Sequence, residues 1–239
     1  MKRLVLVLTL LGLGYVPCTL GAELLFQPTG GSWATNTILP QGYGDRIVAP
    51  DQNGFHYGLD GGITPNIVAR FNQLGMPGPI VTAPPLGTGD LPDAAYPSTS
   101  ETQPFEYDLI ADPGYSVKLR SFNMAIWPGI NETINSVSVL DGNNNILWSQ
   151  TPADIAGAPD ATHPNGTHTH FAFPDLQSQT LKIEFDSTNV DADDVGITNV
   201  VFSQATASPN VPEPSTFLIW SLLGGCGIAL GCWRRKRAA

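Results

Sequence analysis

Three closely spaced histidines, His163, His168 and His170, form the first group of side chains that could do chemistry. In an extended strand His168 and His170 project from the same face, because side chains alternate between the two faces. Together with a carboxylate, this pair could hold zinc or another divalent metal. The alternative is that both histidines lie on a solvated face, while Phe171 and Phe173 enter the core. A metal enzyme would need a third histidine at defined spacing, and the one remaining histidine lies far upstream.

Four aspartates, Asp186, Asp191, Asp193 and Asp194, form a second group between two expected strands. Clustered carboxylates on a loop suit calcium, which takes six to eight oxygen ligands in flexible geometry. The sequence contains no calcium-binding helix-loop-helix motif, so a simple acidic loop is an equal alternative. We therefore predict calcium as a candidate ligand here.

Catalysis is not predicted, because the chain contains no nucleophile elbow, metalloprotease helix or phosphate-binding loop. A glycosidase would need two carboxylates roughly 5 to 10 Å apart. A chain with this many acidic residues can contain such a pair by chance. Aromatic rings could stack on sugars if they are exposed, although two of them, Trp127 and Trp148, lie in strand patterns that favour the core. The aromatic candidates are Trp33, Tyr43, Tyr57, Trp127 and Trp148.

The elements that must position these residues are β-strands, because apolar and polar residues alternate through the second half of the chain. In the segment 115–127 this alternation changes phase near Arg120 to Phe122, which predicts a bulge or a strand crossing between sheets. Asp141-Gly142-Asn143-Asn144-Asn145 predicts a tight hairpin turn. The other expected strands cover 105–109, 137–139, 146–148, 167–173, 181–185 and 196–202.

The first half is rich in glycine and proline, and only 24–26 and 67–71 are clear strands there. Segment 76–104 contains seven prolines, too many for ladder hydrogen bonds, so it is predicted to be an ordered surface loop or a partly mobile insertion. About nine or ten short strands without a helix predict an all-β fold, an antiparallel sandwich of jelly-roll type. Residues 193–202 are similar to the closing strand of secreted carbohydrate-binding-like jelly rolls.

The charge of the central segment is strongly negative. The whole chain carries a formal charge of −10, but residues 23–210 hold only five basic and 20 acidic side chains, a net charge of about −15. Such a surface repels phosphates and anionic lipids, so nucleic-acid binding is not predicted, while divalent cations and neutral sugars remain compatible partners.

The C-terminal segment contains a proline-flanked glutamate, Pro212-Glu213-Pro214, followed by an uncharged apolar run from Phe217 to Trp233 and four basic residues. The apolar run is at the lower limit of roughly 17 residues that a helix needs to cross a bilayer. The cations after it are expected to stay cytoplasmic, which places the preceding domain outside the cytoplasm.

This tail resembles a PEP-CTERM sorting signal. In that family an exosortase, a membrane cysteine transpeptidase, recognises the tripeptide, removes the helix and passes the protein to the cell surface or an extracellular matrix. The resemblance implies these steps for residues 211–239. An ordinary single-span anchor is the alternative.

The N-terminal segment supports export as well. Lys2-Arg3, an apolar stretch from Leu4 to Val16 and small residues near Gly21 and Ala22 are typical of a secretory signal peptide. We therefore predict a signal peptide in 1–22, one sandwich domain in 23–210 and a sorting signal in 211–239. The predicted function is a non-catalytic, polysaccharide-associated binding module. A calcium-bridged structural protein or a secreted glycan-acting enzyme are the alternatives.

Overall fold

The computed structural model describes residues 21–30, 37–60, 62–73, 80–83, 91, 93–97, 104–126, 130–159, 166–190 and 195–206. These residues form antiparallel β-sheets, with no helix in the described ranges, which confirms the predicted all-β sandwich class. The chain divides into two compact units, Met1–Ala205 and Thr206–Ala239. Most of the predicted signal peptide, the tripeptide Pro212-Glu213-Pro214 and the predicted helix at 217–233 lie outside the described residues. Within the described ranges no helix is long and apolar enough to cross a bilayer.

Sixteen strands are described, more than the nine or ten expected. The first eight are β1 (Gly21–Pro28), β2 (Thr37–Ile38), β3 (Asp51–Gln52), β4 (Phe55–Asp60), β5 (Ile67–Gln73), β6 (Ile80–Ala83), β7 (Ala94–Pro97) and β8 (Phe105–Ala111). The others are β9 (Tyr115–Ile126), β10 (Glu132–Ile134), β11 (Ser136–Asp141), β12 (Ile146–Gln150), β13 (Ala153–Ile155), β14 (Thr169–Ser178), β15 (Thr180–Asp186) and β16 (Val195–Thr206).

The strands form a nine-stranded sheet, a five-stranded sheet and a two-stranded ribbon. The nine-stranded sheet follows the order β2-β6-β7-β16-β1-β4-β3. Two further strands belong to it, because β9 pairs with β16 and β14 pairs with β9. The five-stranded sheet has the order β12-β11-β15-β8-β5, and the ribbon pairs β10 with β13. Strand β1 includes Gly21 and Ala22, which pair with Asp60 and Leu59 of β4.

One hydrophobic core lies between the two large sheets. Leu24, Phe122 and Phe202 enter it from the nine-stranded sheet, and Ile183 and Phe185 enter it from the five-stranded sheet. Rings also meet across the sheets, as in the contact between Phe26 and Phe71, whose centroids are 6.4 Å apart. Burying each such side chain contributes roughly 1.5–3 kcal/mol to folding, so this core accounts for much of the stability.

The predicted phase change in the long strand is confirmed. Phe122 of β9 pairs with Phe171 of β14, and Leu119 pairs with Leu176, so β14 carries extra residues between the two pairs. Leu119 and Phe122 both face the core although they are three positions apart, so the alternation of β9 changes phase at this irregularity.

Two expectations for the first half are wrong. Segment 76–104 is not only a loop, since it contains β6 and β7, which pair with each other. These strands can form because the prolines lie beside them or at their ends and not in their interiors. Strand β4 was also missed. Its alternation is concealed by Gly58, which lies opposite Glu23, where a Cβ would come within 2.9 Å of the Glu23 Cβ.

Candidate functional site

A surface cleft of about 330 Å³ lies along the β10–β13 ribbon. The two strands pair in register, with Thr133 opposite Asp154 and Ile134 opposite Ala153. Ile134 and Ala153 are fully buried, so Thr133 and Asp154 project from the solvent side of the ribbon. The lining residues are Asn131, Glu132, Thr133, Asp154, Ile155, Ala156 and Thr169.

Side-chain hydrogen bonds fix the open face of the cleft. The Thr133 hydroxyl donates to Asp154 Oδ1 at 2.6 Å, which orients the carboxylate. Thr169 Oγ1 accepts a hydrogen bond from the Ala156 backbone N–H at 2.8 Å and lies 3.2 Å from the Asp154 carbonyl oxygen, to which it donates. Thr169 therefore links the start of β14 to β13, and both strands position the polar side chains on the open face of the cleft.

The wall of the cleft after β13 depends on Asn131 and Gly157. Asn131 Oδ1 accepts hydrogen bonds from the backbone N–H groups of Gly157 at 3.0 Å and Ala158 at 3.1 Å. A Cβ at Gly157 would lie 2.6 Å from the Ile130 carbonyl oxygen and 2.7 Å from that of Ile126. The chain can pass this close only because residue 157 is glycine.

Behind the ribbon lies the turn that contains Asp186. Asn189 Nδ2 donates to the Thr133 carbonyl at 2.8 Å, and its Oδ1 accepts from the Asn135 backbone N–H at 3.0 Å. Asp186 Oδ1 accepts hydrogen bonds from Thr188 N, Thr188 Oγ1 and Asn135 Nδ2 at 3.0, 2.7 and 3.2 Å. Burial raises the pKa of the Asp186 carboxyl, but these hydrogen bonds outweigh burial and lower the pKa overall. The turn therefore supports the β10 side of the cleft.

The proposed calcium ligands Asp191, Asp193 and Asp194 lie outside the described residues. Asp186 is described, and one of its two carboxylate oxygens is occupied by protein donors. In the described part of the chain, no three or more histidine, cysteine or acidic side chains are grouped so that they could hold a metal ion.

The histidine segment adjoins the cleft. His168 directly precedes Thr169, and the exposed His170 has its Nδ1 2.7 Å from Asn123 Oδ1. His163 lies outside the described residues. Phe171 and Phe173 enter the core, as the solvated-face alternative predicts.

The described aromatic side chains among the candidates for sugar stacking, Tyr43, Tyr57 and Trp148, do not line the cleft. Tyr43 and Tyr57 are buried in the core, because they pack on Phe26 and Phe55 and their hydroxyls bind backbone N–H groups. Trp148 is half-buried and packs edge-on against Phe173, with ring centroids 5.0 Å apart. Trp33 and Trp127 lie outside the described residues.

A second group of acids lies on the five-stranded sheet, away from the residues that line the cleft. Glu106 and Glu184 are direct cross-strand partners, and Lys182 Nζ lies 3.3 Å from Glu106 Oε2. Burial, a hydrogen bond to Glu106 and the charge of Glu106 raise the pKa of Glu184 to about 7. Near neutral pH the pair can therefore share a proton.

Sequence reasoning missed the cleft residues. The short strands β10 and β13 have three residues each and show no clear alternation. The only local signal is the run Asn131-Glu132-Thr133, which is rich in hydrogen-bonding side chains. The alternation along β8 does not reveal that the polar Glu106 is buried.

No family model and no curated protein matches the sequence. Among solved structures, an arabinose-bound family 51 α-L-arabinofuranosidase aligns with 14% identity and a TM-score of 0.35, over 79% of this chain and 27% of the other. A family 4 carbohydrate-binding module aligns with 13% identity and a TM-score of 0.30, over 56% of this chain and 92% of the other. Tandem family 51 carbohydrate-binding modules of a Streptococcus pneumoniae family 98 glycoside hydrolase align with 11% identity and a TM-score of 0.24, over 57% and 40%. The chain thus spans about a quarter of the length of the arabinofuranosidase, and similarity at this level assigns no ligand to it.

Proposed function

We propose that this chain is an exported cell-surface or extracellular-matrix protein that an exosortase sorts through Pro212-Glu213-Pro214, and that its β-sandwich binds polysaccharide without catalysing a reaction. The sorting step rests on the sequence of the tail: the tripeptide, the apolar run and the basic cluster follow one another in order. Before processing, the apolar run anchors the protein in the membrane.

The observation that carries the binding function is the polar cleft on the β10–β13 ribbon. Its volume of about 330 Å³ lies at the lower end of the range for small-ligand sites. Asn131, Thr133, Asp154 and Thr169 supply hydroxyl, amide and carboxylate groups at fixed positions, which suits the many hydroxyls of a sugar.

A non-catalytic role agrees with the arrangement of the acids. A retaining glycosidase separates its two carboxyl groups by roughly 5–5.5 Å so that the sugar fits between them. Glu106 and Glu184 share a hydrogen bond and do not line the cleft, so they do not flank a ligand bound there. The described carboxyls with raised pKa values, Glu184 and Asp93, do not line the cleft, so neither is placed there as a general acid.

The sorting step is tested with the full chain in an exosortase-containing host. We expect the unmodified chain to lose its C-terminal helix and leave the membrane fraction, and the Glu213→Ala and Pro212→Ala variants to stay membrane-bound at full length. Pro209→Ala, which removes a proline outside the tripeptide, is the matched control and should be processed normally. Equal processing of all variants would rule out tripeptide recognition.

The binding step is tested by titrating purified full chain, in a neutral detergent, with the host's extracellular polysaccharide in the presence and absence of calcium. Saturable binding that Thr133→Val weakens is expected. The acidic surplus of residues 23–210 supports one alternative, a matrix protein bridged by calcium. That alternative predicts calcium-dependent self-association and no saturable binding to polysaccharide.

A further inference from the structure

The described residues that line the cleft carry only negative charge. They include two acidic residues, Glu132 and Asp154, and no lysine, arginine or histidine. The central segment around it has a net charge of about −15, from five basic and 20 acidic residues. An acidic sugar entering the cleft would bring its negative charge beside a carboxylate without a compensating cation among the lining residues.

Of the two acids, Asp154 is the one that starts from the solvent side of the ribbon. Thr133 and Asp154 form a cross-strand pair on the solvent side of the ribbon. Glu132 pairs with the buried Ile155, so its side chain starts from the opposite side. Glu132 therefore adds charge near the cleft but does not share the open face with Asp154.

Asp154 differs from three described aspartates that lie beside a basic side chain. Asp112 lies 2.6 Å from Arg46, Asp45 lies 3.0 Å from Arg70, and Asp51 lies 2.7 Å from His56. The hydrogen bond that orients Asp154 comes from the neutral hydroxyl of Thr133. This bond fixes the carboxylate without neutralising it, so its negative charge is presented to the cleft.

We propose that Asp154 selects the ligand by charge, and that the cleft prefers a glycan of de-N-acetylated amino sugars, whose protonated amine lies against the Asp154 carboxylate. This inference rests on the proposed polysaccharide binding and names its substrate class. Asn131, Thr133 and Thr169 bind sugar hydroxyls and give affinity for neutral sugars as well. Uronate polymers, which carry carboxylates of their own, are disfavoured by like-charge repulsion.

The test is calorimetric titration of the detergent-solubilised full chain, at slightly acidic pH, with three tetrasaccharides of equal length: glucosamine, N-acetylglucosamine and galacturonate. We expect the glucosamine oligomer to bind about fivefold more tightly than its acetylated counterpart, the size of an exposed ion pair, and the galacturonate oligomer to bind weakest. Added salt should reduce the preference for the amine, because exposed charges are screened.

Asp154→Asn should remove the preference for glucosamine, so that the glucosamine and N-acetylglucosamine oligomers bind with similar affinity. Asp51→Asn makes the same chemical change at an exposed aspartate that does not line the cleft, so this control should keep the preference. If the acetylated oligomer binds equally well and Asp154→Asn has no effect, the charge selection is overturned while polysaccharide binding stands. If none of the three oligomers binds, the inference is overturned and the cleft loses its role in the proposed function.

Discussion

The phenolic oxygen of Tyr43 accepts a hydrogen bond from the backbone N–H of Phe26 at 2.5 Å, and both residues are fully buried. Phe26 has a φ of 54°, in the left-handed region that bulky residues rarely adopt, and it lies where the pairing of β1 with β4 shifts register. The Tyr43 ring also stacks on Phe26, with centroids 5.1 Å apart. Tyr43 thus holds a bulge in a central strand of the nine-stranded sheet.

Replacing Tyr43 by phenylalanine should destabilise the fold, because the buried N–H of Phe26 would lose its hydrogen bond to the Tyr43 hydroxyl. The expected loss in free energy of unfolding is about 1–3 kcal/mol, measured by urea denaturation. Tyr107→Phe is the matched control, since the Tyr107 hydroxyl is buried and has no hydrogen-bond partner in the structure. Because that hydroxyl has no partner among the described residues, the variant should be neutral or slightly stabilising. Equal losses for the two variants would contradict the role given to Tyr43.

The stability of the domain should fall as pH rises from about 4.5 to about 7. Glu184 has an ordinary pKa of 4.5 when unfolded and a pKa of about 7 when folded, so the folded state binds the extra proton between these values. Asp93, whose pKa burial raises to about 6, acts in the same direction.

Urea denaturation at a series of pH values measures this effect. Glu184→Gln keeps a neutral hydrogen-bond donor and should reduce the decline of unfolding free energy with pH. A smaller decline should remain, because Asp93 still takes up a proton on folding. Glu132→Gln, a similar change outside the pair, should leave the slope as it is. An unchanged slope in Glu184→Gln would show that the Glu106 and Glu184 pair does not take up the proton.

Gly157→Ala should distort the wall of the cleft. The new methyl would contact the backbone oxygens of Ile126 and Ile130 at 2.7 and 2.6 Å, and backbone atoms cannot move aside as a flexible side chain can. We expect a loss of about 1–3 kcal/mol in unfolding free energy, together with weaker polysaccharide binding. Gly42→Ala is the control, because the nearest atom to its Cβ is 3.9 Å away. A Gly157→Ala variant as stable as Gly42→Ala would argue against this close approach.

Asp186→Ala should lower the melting temperature by a similar amount in chelator and in millimolar calcium. Asp186 holds its turn by accepting hydrogen bonds from Thr188 and Asn135, and these donors do not depend on a metal. Thermal unfolding of both proteins under both conditions makes the comparison. Calcium stabilisation of the unmodified chain that disappears in the variant would instead support a calcium site that includes Asp186.

The second half of the fold could be predicted from sequence because its strands alternate clearly. Leu181, Ile183 and Phe185 point inward from β15, and the Asp141 turn joins β11 to β12 as expected. Asp141 Oδ1 accepts hydrogen bonds from the backbone N–H groups of Asn143 and Asn145, which explains the strong turn signal. Local patterns suffice where each strand has one buried face.

The rest depends on contacts between distant segments. Strand β4 contains a glycine because it packs against Glu23, and the cleft brings together Asn131, Asp154 and Thr169 from separate elements. The tyrosines considered for sugar stacking lie in the core, because their hydroxyls accept hydrogen bonds from backbone N–H groups inside the sandwich. No local pattern encodes these pairings.

The central claim is that polysaccharide binds in the cleft on the β10–β13 ribbon. Amide hydrogen exchange of the full chain, with and without saturating glucosamine tetrasaccharide, tests it most directly. The account predicts slower exchange on binding at residues 131–133 and 153–158, with little change at 180–186 of the five-stranded sheet. Saturable binding with protection confined to the five-stranded sheet, or with no protection at the ribbon, would contradict it.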